Sequence, residues 1–236
     1  MRQITEALFS MQDEKYRAFH GALMPTVERE RIIGVRMPAL RRYAAALAKK
    51  PEAALFLLEL PHTYYEENNL HALLLMREKD FDVLMPQLER FLPEIDNWAT
   101  CDLFKPACFA QNRKGLLPYL SEWLRSDRPY TVRFAIEMLM THYLREDFSP
   151  EYPAWVAAVS SEHYYVRMMQ AWYFATALAF RYEELLPYLT QERLSPWVRQ
   201  KTIQKAVESL RLSPAQKEEL KALRREAPPR KTSCSG

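Results

Sequence analysis

Glycine is nearly absent: 236 residues carry only Gly21, Gly34, Gly115 and Gly236. No G-x-G-x-x-G or G-x-x-x-x-G-K can be assembled from them, so the glycine-rich phosphate loops of nucleotide-binding enzymes are excluded. Cysteine is as sparse. Cys101, Cys108 and Cys234 have neither C-x-x-C spacing nor the density of a secreted disulfide scaffold, and are expected as free thiols in a reducing cytoplasm. The longest apolar runs, such as residues 70–76, are far too short to span a bilayer. Residues 1–4 lead straight into a mixed polar and apolar pattern without a signal peptide. His20, His62, His71, His142 and His163 show no metal-ligand spacing with cysteine or glutamate, and no Ser/His/Asp set can be argued. Neither a metal nor a cofactor is expected. Convincing period-two alternation is missing too, so strands are not needed.

Repetition is what the chain has in place of these signatures. Pro86, Pro118, Pro153 and Pro187 recur at intervals of 32, 35 and 34 residues. Three of them sit in near-copies of one phrase: Leu84-Met85-Pro86-Gln87-Leu88, Leu116-Leu117-Pro118-Tyr119-Leu120 and Leu185-Leu186-Pro187-Tyr188-Leu189. A second phrase keeps step, Val132-Arg133, Val166-Arg167 and Val198-Arg199, and Trp98 fills the same slot after Pro86. Self-similarity at this period is the mark of stacked supersecondary units. Helical spacing dominates every segment, as in the run from Pro38 to Leu47 and in Tyr65 to Lys79, whose Glu66 and Glu67 read as a polar face. The prediction is an all-α fold: about six antiparallel helix pairs stacked into a right-handed superhelical solenoid with a concave inner face. Residues 1–226 form a single domain and residues 227–236 a disordered tail. Asp80, Asp96, Ser126 or Asp127, Ser161 and Ser213 are the candidate helix caps.

Charge is unevenly spread. The net charge is +3, yet from Arg193 onward there are 11 Lys/Arg against 4 Asp/Glu, so residues 1–192 sum to −4. A basic end suits an anionic partner such as nucleic acid; a solvated helix face gives the same count.

The phrase Asn97-Trp98-Ala99-Thr100-Cys101-Asp102 is the strongest chemical candidate. With Asp96 as a cap, Trp98 and Asp102 lie at i, i+4 on one helix face. An indole beside a carboxylate attracts a cation, and the carboxylate can orient or deprotonate a water. The alternative is that Trp98 packs between repeats and Asp102 pairs with an arginine. Arg133, Arg167 and Arg199 occupy equivalent slots in successive repeats, and Lys201 and Lys205 extend the strip. Such a row can track a phosphate backbone or bridge one repeat to the next. Trp172, five residues after Arg167, fits either a core position or the same face.

These residues in this order resemble the DNA alkylation repair proteins of the AlkD-like, HEAT-repeat type. Gly34-Val35-Arg36-Met37-Pro38-Ala39-Leu40-Arg41 is similar to an early family motif. Asn97 to Asp102 matches its W-x-x-x-D. Arg133 and the stretch from Tyr165 to Trp172 match its later arginine and tryptophan. The resemblance runs from about residue 10 to 212. It implies a monofunctional glycosylase that binds double-stranded DNA and hydrolyses the N-glycosidic bond of cationic N3- and N7-alkylpurines. Trp98 and Trp172 would cradle the lesion-bearing deoxyribose, Asp102 would stabilise charge on that sugar and position water, and Arg133 would hold a phosphate. The region between Tyr16 and Gly34 reads as a reduced form of the N-terminal element that meets DNA in active members. Two other uses of the scaffold are open: DNA binding without base excision, and protein binding. A monomer is expected.

Overall fold

The computed structural model describes residues 2–225 of the chain, so the expected disordered tail lies outside the described residues. Among these residues there are fourteen α-helices, three short 3-10 turns and no strand, only an isolated antiparallel bridge between Gln12 and Val35. The chain divides into two compact units, with the boundary between Leu117 and Pro118.

The first unit contains α1 (Arg2–Ser10), α2 (Glu14–Ala22), α3 (Met37–Leu47), α4 (Glu52–Leu58), α5 (Tyr65–Leu75), α6 (Phe81–Phe91) and α7 (Trp98–Leu103). Helix α5 packs against α3 on one side and α7 on the other, while α4 and α6 also lie against it. Alternate helices are thus neighbours, which is the arrangement of stacked helix pairs. The unit boundary falls within α8 (Arg113–Trp123). The second unit continues with α9 (Pro129–His142), α10 (Glu151–Ala158), α11 (Tyr164–Leu178), α12 (Tyr182–Thr190), α13 (Pro196–Glu208) and α14 (Pro214–Arg225). There α11 is central, flanked by α9 and α13, with α10 and α12 also packed on it.

The repeated phrases mark this alternation. Pro86, Pro118 and Pro187 lie inside α6, α8 and α12, and Pro153 is the third residue of α10. Trp98, Val132-Arg133, Val166-Arg167 and Val198-Arg199 lie near the starts of α7, α9, α11 and α13. Proline removes one backbone donor, which the first helix of each pair tolerates.

Helix α5 departs from the sequence expectation in two ways. It ends at Leu75, not Lys79, because Arg77 and Glu78 donate to the carbonyls three residues back and the Glu78 carboxylate then accepts from the N–H groups of Lys79 and Asp80. Nor does it have a solvated face: all eleven residues are buried, Glu66 and Glu67 included. The carboxylates are buried because the backbone supplies their partners. Glu66 accepts from the consecutive N–H groups of Ile33, Gly34 and Val35 at 2.8, 2.7 and 3.2 Å. Burial pushes its carboxyl upward while these donors pull it back. Glu67 accepts from Thr5 Oγ1 and from the N–H groups of Thr63 and Tyr64, capping its own helix. Gly34 makes the loop possible. Its φ is +95°, and a Cβ there would fall 2.6 Å from Arg17 Cβ and 2.9 Å from the Asp13 carbonyl oxygen.

Two of the expected caps hold as read. Asp80 accepts from the N–H groups of Asp82 and Val83, and Ser213 accepts from Gln216. Three others are displaced: α7, α9 and α11 start from Asn97, Arg128 and His163. Ser126 and Ser161 instead accept from the N–H two residues ahead, shaping the approach to α9 and α11.

Candidate functional site

In the first unit the functional candidates stand on α7, and the start of that helix is fixed by a buried polar network. Asn97 accepts from Thr100 N–H at 2.8 Å, and its Nδ2 donates to Thr100 Oγ1 at 3.0 Å and to Asp96 Oδ1 at 2.8 Å. Thr100 Oγ1 in turn donates to Asn69 Oδ1 on α5 at 2.8 Å. Asn69, Asn97 and Thr100 are each at most 1% exposed. These bonds, made out of reach of water, hold the start of α7 against α5. Asp96 does not cap the helix; it receives Arg31 Nη1 at 2.9 Å and so ties the 3-10 turn Arg29–Arg31 to the start of α7.

Trp98 and Asp102 follow on this helix at i, i+4, both half-buried. Trp98 Nε1 donates to the Leu23 carbonyl at 3.1 Å, and the indole packs with Ala99 on a small core of Met24, Val27, Ile32 and Tyr65. The ring therefore takes its orientation from the segment after α2. The region between Tyr16 and Gly34 holds most of α2 and a 3-10 turn at Arg29–Arg31. No residue of α2 is buried, and Phe19 is 66% exposed. An open cleft of about 470 Å³ beside α2 is lined by Glu14, Arg17, Ala18, Gly21, Arg29 and Ile32.

In the second unit Arg133 and Trp172 come together. The Arg133 guanidinium carbon lies 5.4 Å from the Trp172 ring centroid, and Nη1 donates to the Tyr165 carbonyl at 2.8 Å. Arg133 is only 1% exposed, so in this position its donors face protein and not solvent. Trp172 is half-buried above it. One repeat further on, the pattern recurs in more open form. Arg167 lies 5.0 Å from the Trp197 ring centroid and Lys201 Nζ lies 5.8 Å from it. Arg167 also pairs with Glu162 at 3.0 Å.

The remaining candidates are separate from these pairs. Arg199 donates to the carbonyls of Leu189 and Leu223 at 2.6 and 3.0 Å, holding the ends of α12 and α14. Lys205 pairs with Glu208 at 2.9 Å. The arginines at equivalent repeat slots thus differ in use: Arg133 and Arg199 are spent on carbonyls, Arg167 on an exposed carboxylate. Sequence reasoning missed Trp197, which adjoins one Val-Arg phrase, and Tyr164, two residues before another. It also missed Asn69 and Thr100, which carry no signal until the fold brings them together.

No helix among the described residues is long and apolar enough to cross a membrane. No curated protein matches the chain. The model of one family, DNA alkylation repair enzyme, matches residues 4–207, which takes in both units and each cation-indole pair described above. The chain belongs to the DNA alkylation repair enzyme family.

Proposed function

We propose that the protein is a monofunctional DNA glycosylase that releases cationic N3- and N7-alkylpurines from duplex DNA. The observation that carries this reading is the placement of Trp98 and Asp102 at i, i+4 on a short helix whose start is held by Asn97, Thr100 and Asn69. The reading carries with it a single HEAT-like domain, with the right-handed superhelix and concave duplex-binding face that the family resemblance implies.

An N3- or N7-alkylated purine already bears positive charge, so the base leaves as a neutral molecule and needs no acid. The bond from the purine nitrogen to C1′ breaks with its electron pair going to the base, and positive charge develops on C1′ and the ring oxygen of the sugar. Asp102 stabilises that charge beside the face of Trp98, and Trp172 carries the second aromatic role that the family resemblance implies. A water oriented by Asp102 adds to C1′ and gives up a proton, leaving an abasic site, as in other glycosidic hydrolyses. Arg133 acts by holding Trp172 from beneath and not by touching phosphate, in keeping with its burial. Arg167, Lys201 and Lys205 supply phosphate contacts, whereas Arg199 is committed to the ends of α12 and α14.

The test is Asp102→Asn on duplex DNA carrying N7-methylguanine. Release of the free base is expected to fall about 100-fold or more, as for the loss of a transition-state charge stabiliser. Affinity for the same duplex is expected to stay within about threefold. Unchanged release would remove Asp102 from the mechanism. Tight duplex binding by the unsubstituted protein, with no release of base at all, would favour a DNA-binding member of the family without excision.

A further inference from the structure

We infer that Tyr164, Trp197, Arg167 and Lys201 form a second nucleic-acid subsite in the second unit, which takes an unpaired nucleotide of the DNA strand. The inference rests on the DNA-binding reading above and goes beyond the lesion-binding set.

Its first support is the repeated cation-over-indole pair. Arg133 on α9 lies over Trp172 on α11, and Arg167 on α11 lies over Trp197 on α13, at nearly equal separations of 5.4 and 5.0 Å. The two copies differ in access. Arg133 is 1% exposed and bonded to a carbonyl, whereas the Arg167 side chain is 24% exposed and its partner Glu162 is 96% exposed. An exposed ion pair of this kind is worth little, so a phosphate can displace the carboxylate at small cost. Glu162 does not saturate Arg167: its Nε, shielded from solvent, makes no hydrogen bond. Lys201 brings a second cation to the same indole.

The second support is Tyr164, the first residue of α11. It is 50% exposed, an unusual state for a tyrosine among so many aromatic neighbours. Its ring meets Trp197 at 5.8 Å and 73° and Tyr165 at 5.1 Å and 84°. Neither neighbour stacks on it in parallel. The Tyr164 face is thus left open to a planar partner, next to an indole that carries two cations. Bases stack on such rings irrespective of sequence, while cations nearby take the phosphate. A paired base within a duplex offers no free face to a protein ring, so the occupant is an unpaired nucleotide.

Binding of a fluorescein-labelled oligothymidylate and of a labelled duplex, each followed by anisotropy, tests the inference. Tyr164→Ala is expected to weaken oligothymidylate binding about tenfold, within the range for loss of one stacked base, and to leave duplex binding within about twofold. Glu162→Gln, at an exposed position that no packing depends on, is expected to tighten oligothymidylate binding two- to threefold by freeing Arg167. Wild-type affinity in both variants would overturn the inference while leaving the duplex reading intact. If the unsubstituted protein binds neither DNA, the subsite and the DNA-binding reading fall together.

Discussion

At the scale of single residues, the same amino acid at the same repeat position does different work, and the surroundings decide which. Arg133 is the clearest case. Its guanidinium satisfies the Tyr165 carbonyl and supports the Trp172 ring, and almost none of it is exposed. Arg133→Ala would remove a charged donor from the part-buried Tyr165 carbonyl and leave a cavity beneath the Trp172 indole. The expected cost is about 2–4 kcal/mol of unfolding free energy, read from urea denaturation. A phosphate-binding arginine would behave otherwise: its loss would leave stability within about 0.5 kcal/mol and reduce DNA affinity. That contrast explains what the sequence could and could not disclose. The row Arg133, Arg167, Arg199 is visible as a spacing, since repeats place it there. Whether each guanidinium faces solvent, an acid or a carbonyl depends on residues such as Tyr165 and Leu223 that the spacing does not identify.

At the scale of helices, α5 is the organising element of the first unit, and its polar residues are what make it so. Glu66 fixes the Gly34 loop, Glu67 caps the helix itself and Asn69 locks the start of α7. His71 has a further role at the seam with α4 and α6. It lies 2.9 Å from His62, nitrogen to nitrogen, and the two rings stack against Phe91 and Phe56 respectively. Burial lowers His62 to about 4 and His71 to about 3, against an ordinary value of 6.5. Two neutral imidazoles can share one hydrogen bond between apolar rings; a protonated pair cannot. The unfolded chain takes up protons on these histidines below about pH 6.5, while the folded protein does not until about pH 4. Their contribution to stability is therefore complete above pH 6.5 and lost as the pH falls toward 4. The urea midpoint is expected to drop between pH 7.5 and 5.0, by an amount equivalent to about 1–3 kcal/mol. An unchanged midpoint would mean that the pair is already protonated or open to water. The helices were legible from proline spacing and apolar periodicity, whereas the full burial of α5 was not. Glu66 and Glu67 read as a solvated face because nothing local to α5 says that residues 33–35 and Thr5 will meet them.

At the scale of the whole molecule, the repeated motifs made the family legible. Each Pro phrase lies in the first helix of a pair and each Val-Arg phrase, or Trp98, near the start of the second. The family match over residues 4–207 covers nearly the stretch in which the motifs recur in order. Within that stretch the candidate residues fall into local groups, Trp98 with Asp102, Arg133 with Trp172, and Arg167 and Lys201 with Trp197. A basic surplus of seven charges lies from Arg193 onward, a stretch that includes Trp197 and Lys201. Such a distribution favours an anionic polymer as partner. The sequence could not disclose how the N-terminal segment serves Trp98, because the bond from the indole to the Leu23 carbonyl joins positions 75 residues apart. The central claim is that this arrangement cleaves a glycosidic bond, and one time course addresses it most directly. The unsubstituted protein, in excess over duplex DNA carrying N7-methylguanine, is followed for free 7-methylguanine beside a protein-free control. First-order release well above the spontaneous rate is the predicted result. Release at the spontaneous rate, under conditions where the duplex is fully bound, would contradict it.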